Sequence, residues 1–184
     1  MNLYTERALI TALQAGDVTA YEQLVSTHLQ PINHYIRRML GYQANETDDL
    51  TQEVFLKLWH KSSQFNPDKA KLTTWLHQLA RNLCIDHFRR NKNWHLLDPE
   101  DAEPVAESET EPDSLLGSLR SAEHIQAAIQ SLPERQRSAL ILCHYQGLSN
   151  KQAADILDTS VEALESLLSR ARSNLKQRLA VTST

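Results

Sequence analysis

Hydrophobic residues recur every three or four positions along most of the chain, which places them on one face of an α-helix. The pattern predicts a first helix over residues 3–15 and a second helix that Asp17 or Thr19 caps. Pro31 is expected to interrupt or restart the second helix, which then continues to Gly41. The apolar positions expected to face inward are Leu9, Ile10, Leu13, Ala20, Tyr21, Leu24, Val25, Leu29, Ile32, Tyr35, Ile36, Met39 and Leu40.

Two more helices are predicted before residue 92. Asn45 can cap the first, whose apolar face comprises Leu50, Val54, Phe55, Leu58 and Trp59 and whose other face is acidic and polar. Residues 61–71 are polar, contain Pro67 and are expected to form a loop. A long helix is then predicted over residues 73–91. One side of it carries Leu76, Leu79, Ala80, Leu83, Cys84 and His87, and the opposite side carries Gln78, Arg81, Asn82, Ile85 and Arg89.

The last part of the chain predicts two helices joined by a tight turn. Gly147 can end a preceding helix, in which Pro133 suits the first turn. Ser149 can cap the first helix of the pair, and Thr159 with Glu162 has the spacing of a capping box. The second helix has Val161, Leu164, Leu167, Leu168 and Ala171 at helical spacing. This arrangement is typical of a helix-turn-helix, whose second helix enters the DNA major groove, although an ordinary helical hairpin has the same periodicity.

Charge divides the 184 residues into three parts. Residues 1–97 carry 11 Lys and Arg against 9 Asp and Glu, residues 98–124 carry 1 against 9, and residues 125–184 carry 7 against 5. The stretch 98–113 contains three prolines and almost nothing to bury, which is typical of a flexible linker. The sequence therefore predicts an all-α protein with two helical domains, at 1–97 and 115–184, joined by an acidic linker at 98–114.

The composition argues against a membrane or secreted protein. No segment approaches the roughly 18 consecutive apolar residues of a membrane span, so no membrane insertion is expected. The first residues lack the basic region and apolar run of a secretory signal. Cys84 and Cys143 are far apart and form no CxxC motif. A cytoplasmic protein with reduced cysteines is expected.

Four motifs, in order and spacing, resemble the extracytoplasmic-function (ECF) sigma factors of bacterial RNA polymerase. They are Asp-Asp-Leu-Thr-Gln-Glu within 48–59, Leu-Ala-Arg-Asn-Leu within 74–90, Leu-Pro-Glu-Arg-Gln-Arg at 132–137, and the C-terminal helix pair. The resemblance spans roughly residues 24–179. It implies sigma region 2 and region 4 domains in a transcription initiation factor rather than an enzyme, without a cofactor. The implied partners are core RNA polymerase, promoter DNA and an anti-sigma factor.

The resemblance also implies roles for individual residues of the N-terminal half. Residues 48–59 match the helix that docks on the coiled coil of the polymerase β′ subunit, whereas region 4 would meet the β flap. The candidate polymerase contacts are Asp48, Asp49, Gln52, Glu53 and Lys57. The helix over 73–91 matches the part that reads and melts the −10 promoter element. Its candidate DNA contacts are Trp75, Gln78, Arg81, Asn82, Asp86, Arg89, Arg90 and Lys92.

An extruded base needs a place to bind when the duplex opens. Trp75 and the 61–71 loop could form the walls of such a place, while core packing is the alternative role for Trp75. The cations of the helix would neutralise backbone phosphates.

The last helix matches the reader of the −35 promoter element. Its candidate contacts are Ser160, Glu162, Glu165, Ser166, Ser169, Arg170 and Arg172. Many relatives carry a Lys and an Arg where this chain has Glu165 and Leu167, so its first half has no cation. The two glutamates could accept from cytosine N4, and Arg170 and Arg172 could contact the backbone. The acidic linker matches the segment that threads near the polymerase active-site cleft, although a simple tether would have the same composition.

Two other functions fit parts of the sequence. A stand-alone helix-turn-helix regulator would bind operator DNA without polymerase and use the N-terminal half as a sensor or dimerisation domain. A helical metalloenzyme could use His77, Cys84 and His87, because Cys84 and His87 at i and i+3 could share a metal. However, no Cys/His pair elsewhere completes a zinc spacing, and the chain contains neither a Gly-rich phosphate loop nor a GxSxG motif.

Overall fold

The computed structural model describes residues 3–41, 45–91 and 118–181 of the chain. These residues form helices and connecting turns, with no strand among them, which confirms the all-α prediction. Contacts divide the chain into two units, Met1–Asp86 and His87–Thr184. The predicted linker at 98–114 and Lys92 lie outside the described residues. The predicted domain limits at 97 and 115 therefore stay predictions.

The first unit is built on one long central helix. Its elements are α1 (Leu3–Gln14), α2 (Val18–Leu40), α3 (Thr47–Lys61), a 3₁₀ turn (Ser62–Gln64) and α4 (Leu72–Arg90), which belongs to this unit as far as Asp86. Both α1 and α3 pack on α2, and Tyr35 of α2 meets His77 of α4 edge to face, with ring centroids 5.4 Å apart. The core comprises Ile10, Leu13, Leu24, Ile32, Tyr35, Ile36, Met39, Val54, Leu58, Leu72, Leu76 and Ala80.

Two predictions for α2 were wrong. The helix is not interrupted at Pro31 but runs through it to Leu40. A proline inside a helix costs about 3 kcal/mol because it removes one hydrogen bond and crowds the preceding turn. Burial along the whole length of α2 offsets this cost. Leu29 is the second exception, because it was expected to face inward and is 43% exposed.

The helix starts in this unit agree only in part with the sequence. Of the two predicted caps of α2, Asp17 is the one used, since its carboxylate accepts from the backbone N–H of Thr19 at 2.8 Å and of Ala20 at 3.2 Å. Asn45 does not cap α3, because Glu46 occupies the N-cap position and makes no side-chain cap bond there. Favourable charge at this helix start comes instead from the acidic first turn of α3.

The second unit ends in the predicted helix pair. Its elements are α5 (Ser118–Gln130), α6 (Glu134–Leu140), a π-helical turn (Ile141–Tyr145), α7 (Asn150–Leu157) and α8 (Val161–Val181). The long helix α8 packs against α5, α6 and α7. One cluster of the core comprises Ile129, Leu132, Leu140 and Ala171, with Leu175 packed against it.

Ser149 caps α7 as predicted, in a complete capping box with Gln152. The predicted capping box of Thr159 and Glu162 is wrong. Ser160, directly before α8, caps the helix instead, and its Oγ accepts from the N–H of Ala163 at 3.1 Å. Asp158 ends α7 in the left-handed conformation, with φ 50°. The N-cap of α8 therefore falls at Ser160, one residue later than predicted.

The start and end of α6 also differ from the prediction. Pro133 stands at the N-cap position, directly before the first helical turn rather than within it. After Leu140 the helix widens into the π-helical turn, in which the N–H of Gln146 donates to the carbonyl of Ile141 at 2.9 Å. Gly147 follows with φ 65°, which suits its predicted role in ending this segment.

Arg137 is fully buried in the second unit. Its guanidinium donates to the side-chain oxygen of Gln130 at 3.1 Å, to the backbone carbonyl of Gln130, and to the carbonyl of Leu132 at 3.0 Å. A helix end leaves its last carbonyls without intrahelical partners. Arg137 therefore caps the end of α5 from within α6 and fixes the corner between the two helices.

The replacement Arg137→Met should lower the free energy of unfolding of the second unit by about 3 kcal/mol, because buried carbonyls lose a charged donor. The exposed position Arg172 is the matched control, and Arg172→Met should change stability by no more than about 0.5 kcal/mol. Hydrogen exchange of α5 and α8 peptides would measure both effects. Equal protection in the two variants would contradict the capping role.

Two histidines are buried together in the first unit. His28 on α2 is 7% exposed and His77 on α4 is 1% exposed. Burial lowers the pKa of His28, and the Glu6 carboxylate, 3.6 Å from its Nε2, opposes this shift only in part. Burial also lowers the pKa of His77, whose Nδ1 lies 2.8 Å from the carbonyl of Thr73. Both rings are therefore neutral in the folded protein near neutral pH.

The first unit should lose stability as the pH falls below about 6.5, the ordinary histidine pKa. The unfolded chain takes up protons there, whereas the folded chain resists them at His28 and His77. Thermal unfolding followed by tryptophan fluorescence between pH 7.5 and 5.5 would measure the effect, because Trp59 and Trp75 lie in this unit. His77→Gln should flatten the dependence, and an equally steep dependence in that variant would contradict the assignment.

Candidate functional site

The polar face of α3 brings its predicted residues together. Asp48, Asp49 and Gln52 are exposed, opposite the buried face of the helix. Glu53 and Lys57 are half-buried and form an ion pair, with 3.1 Å between Oε1 and Nζ. The face therefore presents acidic and amide groups at one end and a neutralised pair at the other.

A groove of about 540 Å³ runs between α2 and α3 beside this face. Leu29 and Leu56 are exposed at 43% and 47% and line it, together with Asp48 and Gln52. Asn33 crosses the groove from α2, and its Nδ2 donates to Asp48 Oδ1 at 3.0 Å and to Thr51 Oγ1 at 3.2 Å. An apolar groove bordered by acidic and amide groups suits an amphipathic helix of a partner protein.

Sequence reasoning missed the groove. Leu29 continues the apolar period of α2 and was placed in the core, whereas Leu56 interrupts the polar face of α3 and was assigned no role. The exposed Leu56 was the available signal, because a large apolar residue on a polar helix face often marks an interface.

The predicted DNA-contacting residues of α4 lie along the side of the helix away from the core. Asn82, Asp86, Arg89 and Arg90 are exposed, and Gln78 and Arg81 are half-buried. The two exposed arginines lie in the last turn, where positive charge also suits the helix dipole. Lys92 belongs to the undescribed residues.

Trp75 joins α4 to the loop before it. Its ring is half-buried and stacks on Phe65, with centroids 5.1 Å apart and planes inclined by 30°. Phe65 itself is 6% exposed. Trp75 therefore packs on Phe65 and keeps part of its surface open. Beyond it the loop exposes Asn66, whose Oδ1 accepts from the N–H of Asp68 at 2.9 Å.

The first turns of α8 are polar and carry negative charge. Glu162, Glu165, Ser166 and Ser169 are exposed. The backbone N–H of Glu162 donates to the residue's own carboxylate, as does the Ser160 hydroxyl, and both bonds lower the pKa of Glu162. Ser166 Oγ donates to the carbonyl of Glu162 at 3.0 Å. Farther along the helix, Arg170 is half-buried and Arg172 is exposed.

Asn150 is a candidate that sequence reasoning missed. Its Nδ2 donates to Glu165 Oε1 at 3.3 Å, so the first residue of α7 holds a carboxylate of α8. The thiol of Cys143 lies 3.8 Å from Asn150 Oδ1 and can donate to it, and burial raises the pKa of that thiol. No local signal could reveal this contact, because 15 positions separate Asn150 from Glu165.

The metal hypothesis gains nothing from the arrangement of its residues. Cys84 is fully buried, His77 packs against Tyr35, and His87 Nε2 lies 2.9 Å from Asn91 Nδ2. Within residues 3–41, 45–91 and 118–181, no group of three or more His, Cys, Asp or Glu side chains is placed to hold a metal ion. Over the same part of the chain, no helix has the length and apolarity that crossing a membrane requires.

Comparison with known families gives matches in both halves of the chain. The family model for sigma-70 region 2 matches residues 24–93, and the model for sigma-70 region 4 matches residues 122–175. The first range contains α3 and α4, and the second contains α6, α7 and α8 as far as Leu175. The candidate contacts on α3, α4, α7 and α8 all fall within these ranges, and Lys92 lies in the first range but outside the described residues.

Individual relatives agree with these matches. The RNA polymerase sigma factor SigZ of Bacillus subtilis is 33% identical over 160 residues, covering 86% of each chain. The ECF RNA polymerase sigma factor SigE of Mycolicibacterium smegmatis is 30% identical over 169 residues, which are 90% of this chain but 65% of SigE. A solved structure of the sigma factor RpoE with the anti-sigma factor NepR from Bartonella quintana superposes with a TM-score of 0.66 and 26% identity, over 89% of this chain and 99% of RpoE.

Proposed function

The chain belongs to the extracytoplasmic-function type of the sigma-70 family, and from this premise we propose that it directs core RNA polymerase to specific promoters as an alternative sigma factor. The observation that carries the proposal is the presence of both sigma-70 regions, in order, over the helices with exposed polar faces. The protein acts by binding and not as a catalyst. It works in the cytoplasm, where the polymerase and its promoters are.

The polymerase-binding surface is the polar face of α3 together with the groove beside it. A helix of the β′ coiled coil can place apolar side chains between Leu29 and Leu56 and meet the carboxylates of Asp48 and Asp49 with basic ones. Charged rim contacts favour the correct orientation, and apolar contacts in the groove slow dissociation.

The −10 element is read and opened by α4 and the loop before it. Arg89 and Arg90 lie where they can neutralise phosphates, and Asn82 and Gln78 can hydrogen-bond to bases. Opening a duplex costs a few kcal/mol for each unstacked base, and a stacking surface for an extruded base offsets this cost. The open part of the Trp75 ring and the exposed loop residues offer such a surface.

The −35 element is read by the first turns of α8. Glu165 can accept from cytosine N4 in the major groove, and Asn150 keeps its carboxylate in one orientation. Region 4 also meets the β flap of the polymerase. Each region then binds weakly by itself, and attachment to one polymerase raises the effective concentration of the second contact. The acidic linker occupies the basic channel near the active site until the growing RNA displaces it.

An anti-sigma factor is proposed as the inhibitor of this protein. RpoE was crystallised in complex with such a factor, NepR. An inhibitor that covers the groove between α2 and α3 would block polymerase binding directly.

The stand-alone regulator is not favoured, because a sigma-70 region 2 match over residues 24–93 has no role in a protein that binds operator DNA alone. Run-off transcription with core polymerase and gel-shift assays with and without it test the choice. Specific initiation that requires both core enzyme and this chain supports a sigma factor. Tight specific DNA binding by the isolated chain would support the regulator.

The variant Asp49→Asn should weaken binding to core polymerase by about ten-fold, the size of a central interface contact. The reason is that the amide keeps the shape of the carboxylate and removes its charge. The matched control is Glu22→Gln at an exposed position of α2, which should bind normally. Titration of labelled core enzyme measures both affinities. Normal binding by Asp49→Asn and Gln52→Ala together would contradict the assignment of α3.

The variant Glu165→Ala should reduce the preference for cytosine at one −35 position by about ten-fold, because the carboxylate that accepts from cytosine N4 is lost. Asn150→Ala should reduce the preference at the same position less strongly, since the Glu165 carboxylate remains and loses only the hydrogen bond that orients it. Asp155→Ala, at an exposed position of α7, serves as the control. Transcription from templates randomised over the −35 element measures the preferences, and effects of Glu165 and Asn150 at different positions would refute their coupling.

A further inference from the structure

The helix α1 contacts the loop before α4 at two separate points. Near its end, Gln14 Nε2 donates to the backbone carbonyl of Ser62 at 2.8 Å and to that of Phe65 at 2.9 Å. Near its start, Arg7 forms an ion pair with Asp68, with 2.6 Å between NH2 and Oδ1. The segment 62–68 is therefore held at both ends by a helix that carries no candidate contact to DNA or polymerase.

The contact of Gln14 sets the shape of the loop. Its amide nitrogen has two hydrogens and donates to two carbonyls three residues apart, which fixes the 3₁₀ turn between them. Phe65 follows that turn, and the ring of Trp75 stacks on Phe65. A substitution at Gln14 therefore affects the position of the Trp75 ring through Phe65.

The contact of Arg7 acts on the other end of the loop. Both partners are mostly exposed, with side chains 60% and 64% accessible, so the pair contributes little to stability. The ion pair instead fixes the position of Asp68, whose N–H donates to Asn66 Oδ1. The exposed Asn66 is thus kept between two fixed points, beside the stacked pair of Phe65 and Trp75.

We propose that Arg7 and Gln14 are positioning residues for −10 recognition, which hold the segment 62–68 and Trp75 in the arrangement that receives one extruded base. The inference rests on the proposed function, because it assumes that this loop receives the base. A site that is already ordered binds with a smaller loss of conformational entropy and discriminates better than one that must form around its ligand. Without its two attachments to α1, the loop would have to order itself around each base.

The test uses holoenzyme reconstituted from the full chain and core polymerase, with a pool of promoter templates randomised over the −10 element. Each −10 sequence is linked to a barcode downstream of the transcription start, so sequencing the barcodes in the transcripts gives the base preference at each −10 position. Gln14→Ala should reduce the preference at one position by about ten-fold, the size of one lost base contact. Preferences at the other positions and affinity for core polymerase should remain. Gln23→Ala on the exposed side of α2 is the matched control and should behave as wild type.

The ion pair provides a second variant that does not depend on the buried end of the loop. Arg7→Asp should flatten the preference at the same position as Gln14→Ala, and Arg7→Lys should largely retain it. The double variant Arg7→Asp with Asp68→Arg should restore the preference, because it re-forms the pair with the charges exchanged. A role in folding alone would lower transcription equally from all templates and would not be rescued at one position.

Several outcomes would overturn the inference. These are unchanged preferences in both Gln14→Ala and Arg7→Asp, losses spread evenly over all positions, or a double variant no better than Arg7→Asp. Should Gln14→Ala fail to fold, by circular dichroism, the exposed Arg7 and Asp68 variants decide alone. Failure of the proposed function is distinct, since the wild-type holoenzyme would then show no −10 preference at all.

Discussion

Burial of one face of α2 along its whole length is the constraint on which the first unit depends. This helix runs for 23 residues and buries Ala20, Leu24, His28, Ile32, Tyr35, Ile36 and Met39. Because α1 and α3 both pack on it, α2 fixes the direction in which the polar face of α3 points. The groove beside that face exists because α2 continues through Pro31. A break there would separate the residues that line the groove.

The two units differ in the polar groups that their cores bury. The core of the first unit contains two buried histidines, His28 and His77, and burial lowers the pKa of both. In the second unit the buried Arg137 donates to the side-chain oxygen and the backbone carbonyl of Gln130, the last residue of α5, and to the carbonyl of Leu132 just after it. A small helical unit has few apolar residues to bury, so a corner fixed by directional hydrogen bonds helps to define a single arrangement.

The sequence predicted the helices well because their signal is local and repeated. It failed where two local signals competed or where the deciding contact was distant. Thr159 and Ser160 are both good caps, and the left-handed Asp158 decides between them. Periodicity also cannot separate a core position from a groove position, which is why Leu29 was misplaced. The site residues on α3, α4 and α8 came from the resemblance to a family, and their individual roles remain predictions. The contacts made by Gln14 and Asn150 span 51 and 15 positions, so only the folded chain brings them together.

The first turns of α8 contain Glu162 and Glu165 but no lysine or arginine up to Ser169. Most proteins that search DNA are retained on any sequence, because their cations displace the counterions condensed on phosphates. The proposed recognition helix α8 has negative charge in its first turns and lacks that general attraction there. The leading turns of α8 would therefore add little to the attachment of the free protein to the large excess of non-promoter DNA in a genome.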